Sequence, residues 1–126
     1  AVEVDPNFYA AYGNIGFKYQ EMGEYQKAID YCDIVLKFSP DDPFGLNNRG
    51  YNKLMLGDLK GAMKDVDKSI KLYPVNSFAY KNRALIHLKN GDTEKACADL
   101  LMAIEKGFTE TYGQEVNELI EKHCKH

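Results

Sequence analysis

The chain is short of the residues from which most active sites are built. Its 126 residues include three serines, Ser39, Ser69 and Ser77, and three histidines, His87, His123 and His126. No serine has a histidine near it in sequence or on the same expected helix face. No GxSxG, HExxH, P-loop or GxGxxG fingerprint occurs. These absences argue against an enzyme, and no cofactor is expected. Cysteine is scarce too: Cys32, Cys97 and Cys124 form no CxxC pair and no metal spacing, and their number is odd. A reducing compartment is the default for such usage, and the cytoplasm is the expectation. His123, Cys124 and His126 lie together but fall short of the ligand count of a closed zinc site, so no metal is expected. His87 reads as a structural histidine.

No stretch is long and apolar enough for a membrane helix. An excess of basic charge is also missing: 16 basic residues against 19 acidic ones leave a formal charge of -3, too little positive field to hold a phosphate backbone. Nucleic acid and membrane are therefore not expected partners. Lys60, Lys64, Lys68 and Lys71 recur at helical spacing, yet Asp58, Asp65 and Asp67 are interleaved with them, as on an ordinary solvated face. The chain also begins without methionine. Val2 and Pro6 align with Leu36 and Pro40, so residues 1–6 are expected to be the end of a preceding repeat, the chain being either a piece of a longer protein or one that begins at a mature end.

What the chain does have is a period. Pro6, Pro40 and Pro74 stand 34 residues apart, and the same step links Gly23, Gly57 and Gly91, then Ala28, Ala62 and Ala96, then Asn14, Asn48 and Asn82. A step of this length means stacked helical hairpins. The first pass reads Tyr12, Ile15, Gly16, Tyr19, Ala28, Cys32, Pro40; the second Leu46, Arg49, Gly50, Lys53, Ala62, Val66, Pro74; the third Tyr80, Arg83, Ala84, His87, Ala96, Leu100. This pattern resembles the tetratricopeptide (TPR) repeat. The resemblance implies an all-α, right-handed superhelical solenoid of antiparallel helix pairs, forming a single domain with repeats at 7–40, 41–74 and 75–108.

Helices are expected over 8–22 and 25–38, 43–56 and 59–73, and 77–90 and 93–106. Gly23, Gly57 and Gly91 close the first helix of each pair, since glycine takes positive φ without steric cost. Asp42, Asp58 and Asp92 are the expected N-caps. Small residues at Gly16, Gly50 and Ala84 face Ala28, Ala62 and Ala96, letting paired backbones approach. Ile29, Leu36, Phe38, Met63, Ile70, Leu72, Leu100 and Ile104 fill the space between layers, and Cys32 and Cys97 read as small buried hydrophobes. Gly107 and Phe108 end the third repeat. One further helix is expected within 111–124, opened by a Thr111–Gln114 capping box and covering the last layer through Tyr112, Val116, Leu119, Ile120 and Cys124.

Two arginines break the apolar pattern. Arg49 and Arg83 occupy the place of Ile15, and a bare guanidinium between helices is costly. Asp65 and Asp99 each follow their arginine by 16 residues, whereas the same step from Ile15 reaches Tyr31. Arginine and aspartate are thus present together twice and absent together once. Gly57 lies midway between Arg49 and Asp65, and Gly91 midway between Arg83 and Asp99, which puts each pair at one height on antiparallel helices. Internal ion pairs are the main reading, with ligand contact by the arginines as the alternative.

The resemblance places function in a concave groove lined by the first helix of each pair. Asn14, Asn48 and Asn82 make a ladder of amides able to donate and accept along a peptide backbone. Phe17, Phe44, Tyr51 and Phe78, with Leu85, add the aromatic and apolar area in which interfaces concentrate binding energy. Packing of some of these rings against neighbouring helices is the competing reading. TPR domains that clamp a chaperone's C-terminal carboxylate carry lysines, asparagines and an arginine or lysine at positions matching Gly13, Phe17, Asn48, Phe78 and Asn82. Only Asn48 agrees, so a carboxylate-clamp chaperone partner is not expected. The leading function is a non-catalytic module that binds a peptide or helix of a partner protein. A structural or self-association segment, and the substrate-presenting arm of a larger enzyme, are the alternatives.

Overall fold

The computed structural model describes residues 9–124, and every regular element among them is an α-helix. The helices form two compact units, one ending at Leu72 and the other beginning at Tyr73. The first holds α1 (Tyr9–Glu21), α2 (Tyr25–Phe38), α3 (Pro43–Met55) and α4 (Leu59–Leu72), packed each on the next. The second holds α5 (Ser77–Lys89), α6 (Thr93–Glu105), α7 (Phe108–Tyr112) and α8 (Glu115–His123). There α5 packs on α6, which α7 and α8 also contact. The segment 1–6, with Val2 and Pro6, lies outside the described residues, as do Phe8, Lys125 and His126.

Each hairpin turns by the same chemistry. Gly57 has φ of 89°; its N–H donates to the Leu54 carbonyl at 3.0 Å, and the next N–H, of Asp58, reaches back to Lys53 at 2.9 Å. This Schellman pair satisfies two carbonyls that the end of α3 would leave orphaned. Gly23 and Gly91 repeat it. The aspartate after the glycine then caps the returning helix: the Asp58 carboxylate accepts from the Gly61 N–H at 2.9 Å, and Asp92 accepts from Lys95 at 3.3 Å. In the first hairpin Glu24 takes this place and makes no side-chain cap bond. Between repeats, Asp42 accepts from the Phe44 N–H at 3.0 Å, and the Asn76 amide does the same for Phe78 at 3.1 Å.

Paired helices touch through their smallest residues. Ala28, Ala62 and Ala96 are fully buried. A methyl at Gly50 would stand 2.6 Å from Val66 Cγ2 and 3.1 Å from the Ala62 carbonyl, so the approach of α3 to α4 needs hydrogen at that position. Ile29, Leu36, Ile70 and Leu100 are buried as the periodicity requires, and Met63 and Ile104 are half-buried. Phe38 and Leu72, expected between the layers, are the last residues of α2 and α4 and are exposed.

The C-terminal region differs from the expected single helix. Gly113 takes φ of 97° and breaks it into α7 and α8. The Thr111–Gln114 box does not form, since Gln114 as N-cap makes no side-chain cap bond and its Oε1 accepts from Asn117 Nδ2 at 2.8 Å. Phe108 and Val116 are buried, Leu119 and Ile120 are half-buried, and Tyr112 is exposed. The cysteine reading also needs correction. Cys97 on α6 and Cys124 after α8 form a disulfide with Cα atoms 5.8 Å apart, across a sequence separation of 27, and Cys32 is the free, buried thiol. The pair went unseen because the return of α8 along α6, not local spacing, brings it together.

Replacing Gly50 with alanine gains about 1 kcal/mol of helix propensity but overpacks the hairpin at a cost of roughly 1–3 kcal/mol. A lowered urea midpoint is expected. At Gly13 a methyl meets nothing nearer than Val35 Cγ2 at 3.9 Å, so Gly13→Ala should raise the midpoint. Equal midpoints for the two variants would contradict this packing account.

Candidate functional site

The first unit contains a cavity of about 420 Å³ between α1 and α3. Gly13, Asn14 and Phe17 of α1 form one wall; Phe44, Gly45 and Asn48 of α3, with the N-cap Asp42, form the other. Cys32 and Val35 of α2, both buried, make the floor. Burial, and then the charge of Asp33, push the Cys32 thiol up to about 12, so the floor is neutral at ordinary pH. Phe17 and Phe44 are 45% and 55% exposed, which is unusual for large apolar side chains. Asn14 is exposed and Asn48 half-buried. The site therefore combines an apolar floor, two rings and two amides that can donate and accept at once.

Asn52 holds this arrangement from behind. It is buried, and its Nδ2 donates to the Asn48 carbonyl at 2.8 Å and to Gln20 Oε1 at 3.1 Å, tying α3 to α1. The repeat gives no consistent signal for it, since the same place holds exposed Lys18 one step earlier and buried Ile86 one step later.

The other residues expected in the groove have different environments. Tyr51 is half-buried and does not line the cavity. Phe78, Asn82 and Leu85 lie on α5 in the second unit. The Phe78 ring meets the edge of Tyr112 at 5.1 Å and Phe108 at 6.1 Å, and the Lys81 ammonium lies 4.3 Å from its centroid. Asn82 has no exposed surface, and Leu85 is half-buried. The amides at 14, 48 and 82 thus form no uniform row of open donors.

The arginines are held inside their hairpins. Arg49 Nε and Nη2 donate to the two oxygens of Asp65 at 2.8 and 2.9 Å, and Arg83 meets Asp99 in the same fork at 2.9 and 2.8 Å. The bonding extends further. Arg49 Nη1 donates to Asp33 at 2.9 Å, Lys53 lies 3.0 Å from Asp65, and His87 lies 3.5 Å from Asp99. Lys53 and His87 each stand one helical turn after their arginine, a spacing from which they could have been foreseen. In the first hairpin, where Tyr31 replaces the aspartate, its ring stacks with Tyr12 at 6.3 Å and Tyr19 at 5.6 Å.

The Asp65 side chain is only 5% exposed. Burial alone would raise its pKa, but the hydrogen bonds from Arg49 and Lys53 outweigh that and hold the carboxyl below its ordinary value. A larger cavity of about 640 Å³ lies beside this pair, with Lys64, Lys68, Lys71 and Asp67 on its walls. Its charges are of mixed sign, and it exposes no aromatic ring. Among the described residues no group of three or more metal-binding side chains is gathered, and no helix is long and apolar enough to cross a membrane.

Two tetratricopeptide repeat family models match the chain, over residues 9–42 and 66–98. No curated protein sequence matches it significantly. Among solved structures, the first TPR of Spaghetti (RPAP3) bound to the HSP90 peptide SRMEEVD is 21% identical, with a TM-score of 0.81 over 98% of this chain and 96% of its own. The second TPR domain of human RPAP3, in complex with the HSP70 peptide SGPTIEEVD, is 22% identical, with a TM-score of 0.77 over 97% and 100%. The type III secretion translocator chaperone SycD of Yersinia enterocolitica is 14% identical, with a TM-score of 0.82 over 97% and 87%.

These similarities correct one expectation. The exclusion of chaperone partners rested on side chains at Gly13, Phe17, Asn48, Phe78 and Asn82, and it does not hold, because TPR domains holding HSP90 and HSP70 peptides share this fold almost end to end. Identity at five places tests one set of ligand contacts. At about one-fifth identity the fold is retained while its lining side chains change, so those places do not decide the partner class.

Replacing Asp65 with alanine leaves Arg49 short of its main acceptor and should cost about 3 kcal/mol at pH 7. Asp65→Ala and Arg49→Ala should be markedly non-additive in a double-mutant cycle. Because the folded carboxyl titrates below its unfolded value of 3.8, its contribution is complete above that value and is lost as pH falls through the folded pKa. Urea unfolding from pH 7 to pH 2 should show the wild type and Asp65→Asn converging at the acid end. A constant gap would contradict the assignment.

Proposed function

Because the chain belongs to the tetratricopeptide repeat family, we propose that it is a non-catalytic protein-interaction module whose cavity between α1 and α3 receives an extended peptide of a partner protein. The observation that carries this reading is the joint lining of one cavity by Asn14, Phe17, Phe44 and Asn48, with both rings exposed over an apolar floor. The amides suit the carbonyl and N–H groups of a peptide without regard to its sequence. The rings and the floor suit an apolar side chain between them, where desolvation makes the largest contribution. The SRMEEVD and SGPTIEEVD peptides held by the similar structures place a methionine and an isoleucine directly before their acidic pair, which makes them the natural reference ligands.

Peptides selected from a random library on the wild-type protein, together with those two references, should be titrated by fluorescence polarisation. Phe17→Ala and Phe44→Ala lie at exposed positions and should leave the helical circular dichroism spectrum unchanged. Each should weaken binding by about 2 kcal/mol, a thirtyfold loss. Asn48→Ala should lose nearer 1 kcal/mol, since water replaces part of an amide's hydrogen bonding. Unchanged affinity in a folded Phe17→Ala, Phe44→Ala double variant would remove the cavity from the binding site.

A further inference from the structure

α8 is held by few attachments. It has nine residues, below the length at which a helix stands alone in water. Val116 is its one fully buried residue, and Leu119 and Ile120 are half-buried. At its N-terminal side Gly113, with φ of 97°, separates it from α7, whose Phe108 is buried. At its C-terminal side Cys124 is bonded to Cys97 of α6. Near its start Glu115 lies 3.3 Å from the ammonium of Lys81, a side chain only 5% exposed, on α5. The helix thus hangs between a glycine joint and a covalent tie, with Asn117 Nδ2 donating to Thr109 of α7 at 3.0 Å, and it pairs with a buried cation.

We propose that the Cys97–Cys124 disulfide is a thiol-operated latch on α8, and that its reduction releases the helix from α6 and uncovers Lys81. Both cysteines are partly exposed, so a small dithiol can reach them. A thiolate of the reductant attacks one Sγ, the Sγ–Sγ bond breaks, and the departing thiolate takes up a proton. The second thiol of the reductant then displaces the other cysteine. The dithiol has given two electrons and leaves as a disulfide, and Cys97 and Cys124 remain as thiols. Cys32 stays outside this exchange, because it is buried and its thiol holds its proton at neutral pH. Once the tie is cut, α8 keeps too little apolar burial to stay ordered. Lys81, buried and paired with Glu115 of α8, then loses that partner and gains water.

The full chain is prepared oxidised and then treated with dithiothreitol without denaturant. Amide exchange is followed by mass spectrometry, and acetylation of Lys81 is measured against exposed Lys64. On reduction, two further thiols should become alkylatable, and α8 should lose at least about thirtyfold in protection, as expected from the stabilisation a disulfide of this loop size contributes. Lys81 acetylation should rise at least about tenfold while α5 and α6 keep their protection. The Cys97→Ser, Cys124→Ser double variant should behave as the reduced protein does. Free alkylation of both cysteines before reduction would overturn the proposal. So would α8 protection and Lys81 labelling that do not change, or loss of protection throughout α5 and α6, which would make the bond a general staple.

Discussion

The close approach of paired helices through their smallest residues is the constraint from which the rest follows. Where Gly50 meets Ala62 and Val66, one added methyl would lie inside van der Waals contact. That approach sets the height relation between the two helices of a hairpin, and the Schellman turn at Gly57 fixes it at the end. Arg49 and Asp65 then face each other squarely enough for a forked pair of bonds. The same economy of side chain acts between α1 and α3. Gly13 and Gly45 project nothing into the space above Val35, and a cavity stays open where larger residues would close it.

One place in the repeat has two chemical solutions. Two hairpins use a guanidinium forked onto a carboxylate, and the first uses Tyr31 stacked with Tyr12 and Tyr19. Both occupy the same height of the hairpin, eight residues on either side of its glycine turn. A buried ion pair is weak evidence for stability, because desolvation offsets much of the attraction, yet breaking one partner is costly. Its contribution here is better understood as register. A one-residue slip of α3 against α4 would carry Arg49 away from Asp65 and leave both charges poorly solvated.

Much of the fold was legible because it is written in a period. The glycine turns and the buried alanines recur every 34 residues through all three repeats, and the aspartate caps through two, so the repeats check one another. Arginine and aspartate could be read together because they come and go together. What escaped was not periodic. Asn52, Gly113 and the Cys97–Cys124 bond each occur once, and the bond depends on a tertiary return that local spacing does not encode. The residues expected in the groove divide between two environments. Asn14, Phe17, Phe44 and Asn48 line one cavity, whereas Phe78 packs on Phe108 and Tyr112 and Asn82 is fully buried. Equivalent places in a repeat share a backbone but not a neighbour, and the element that follows α5 and α6 is the broken α7–α8 segment.

The most direct test of the account is an amide-resolved NMR titration of the oxidised chain with the tightest peptide from the library selection. If the cavity between α1 and α3 is the binding site, the largest shifts will fall on Asn14, Phe17, Phe44, Asn48 and the facing turn of α2 around Cys32 and Val35. Shifts confined to α4, or to α7 and α8, with these residues unmoved at saturation, would contradict it.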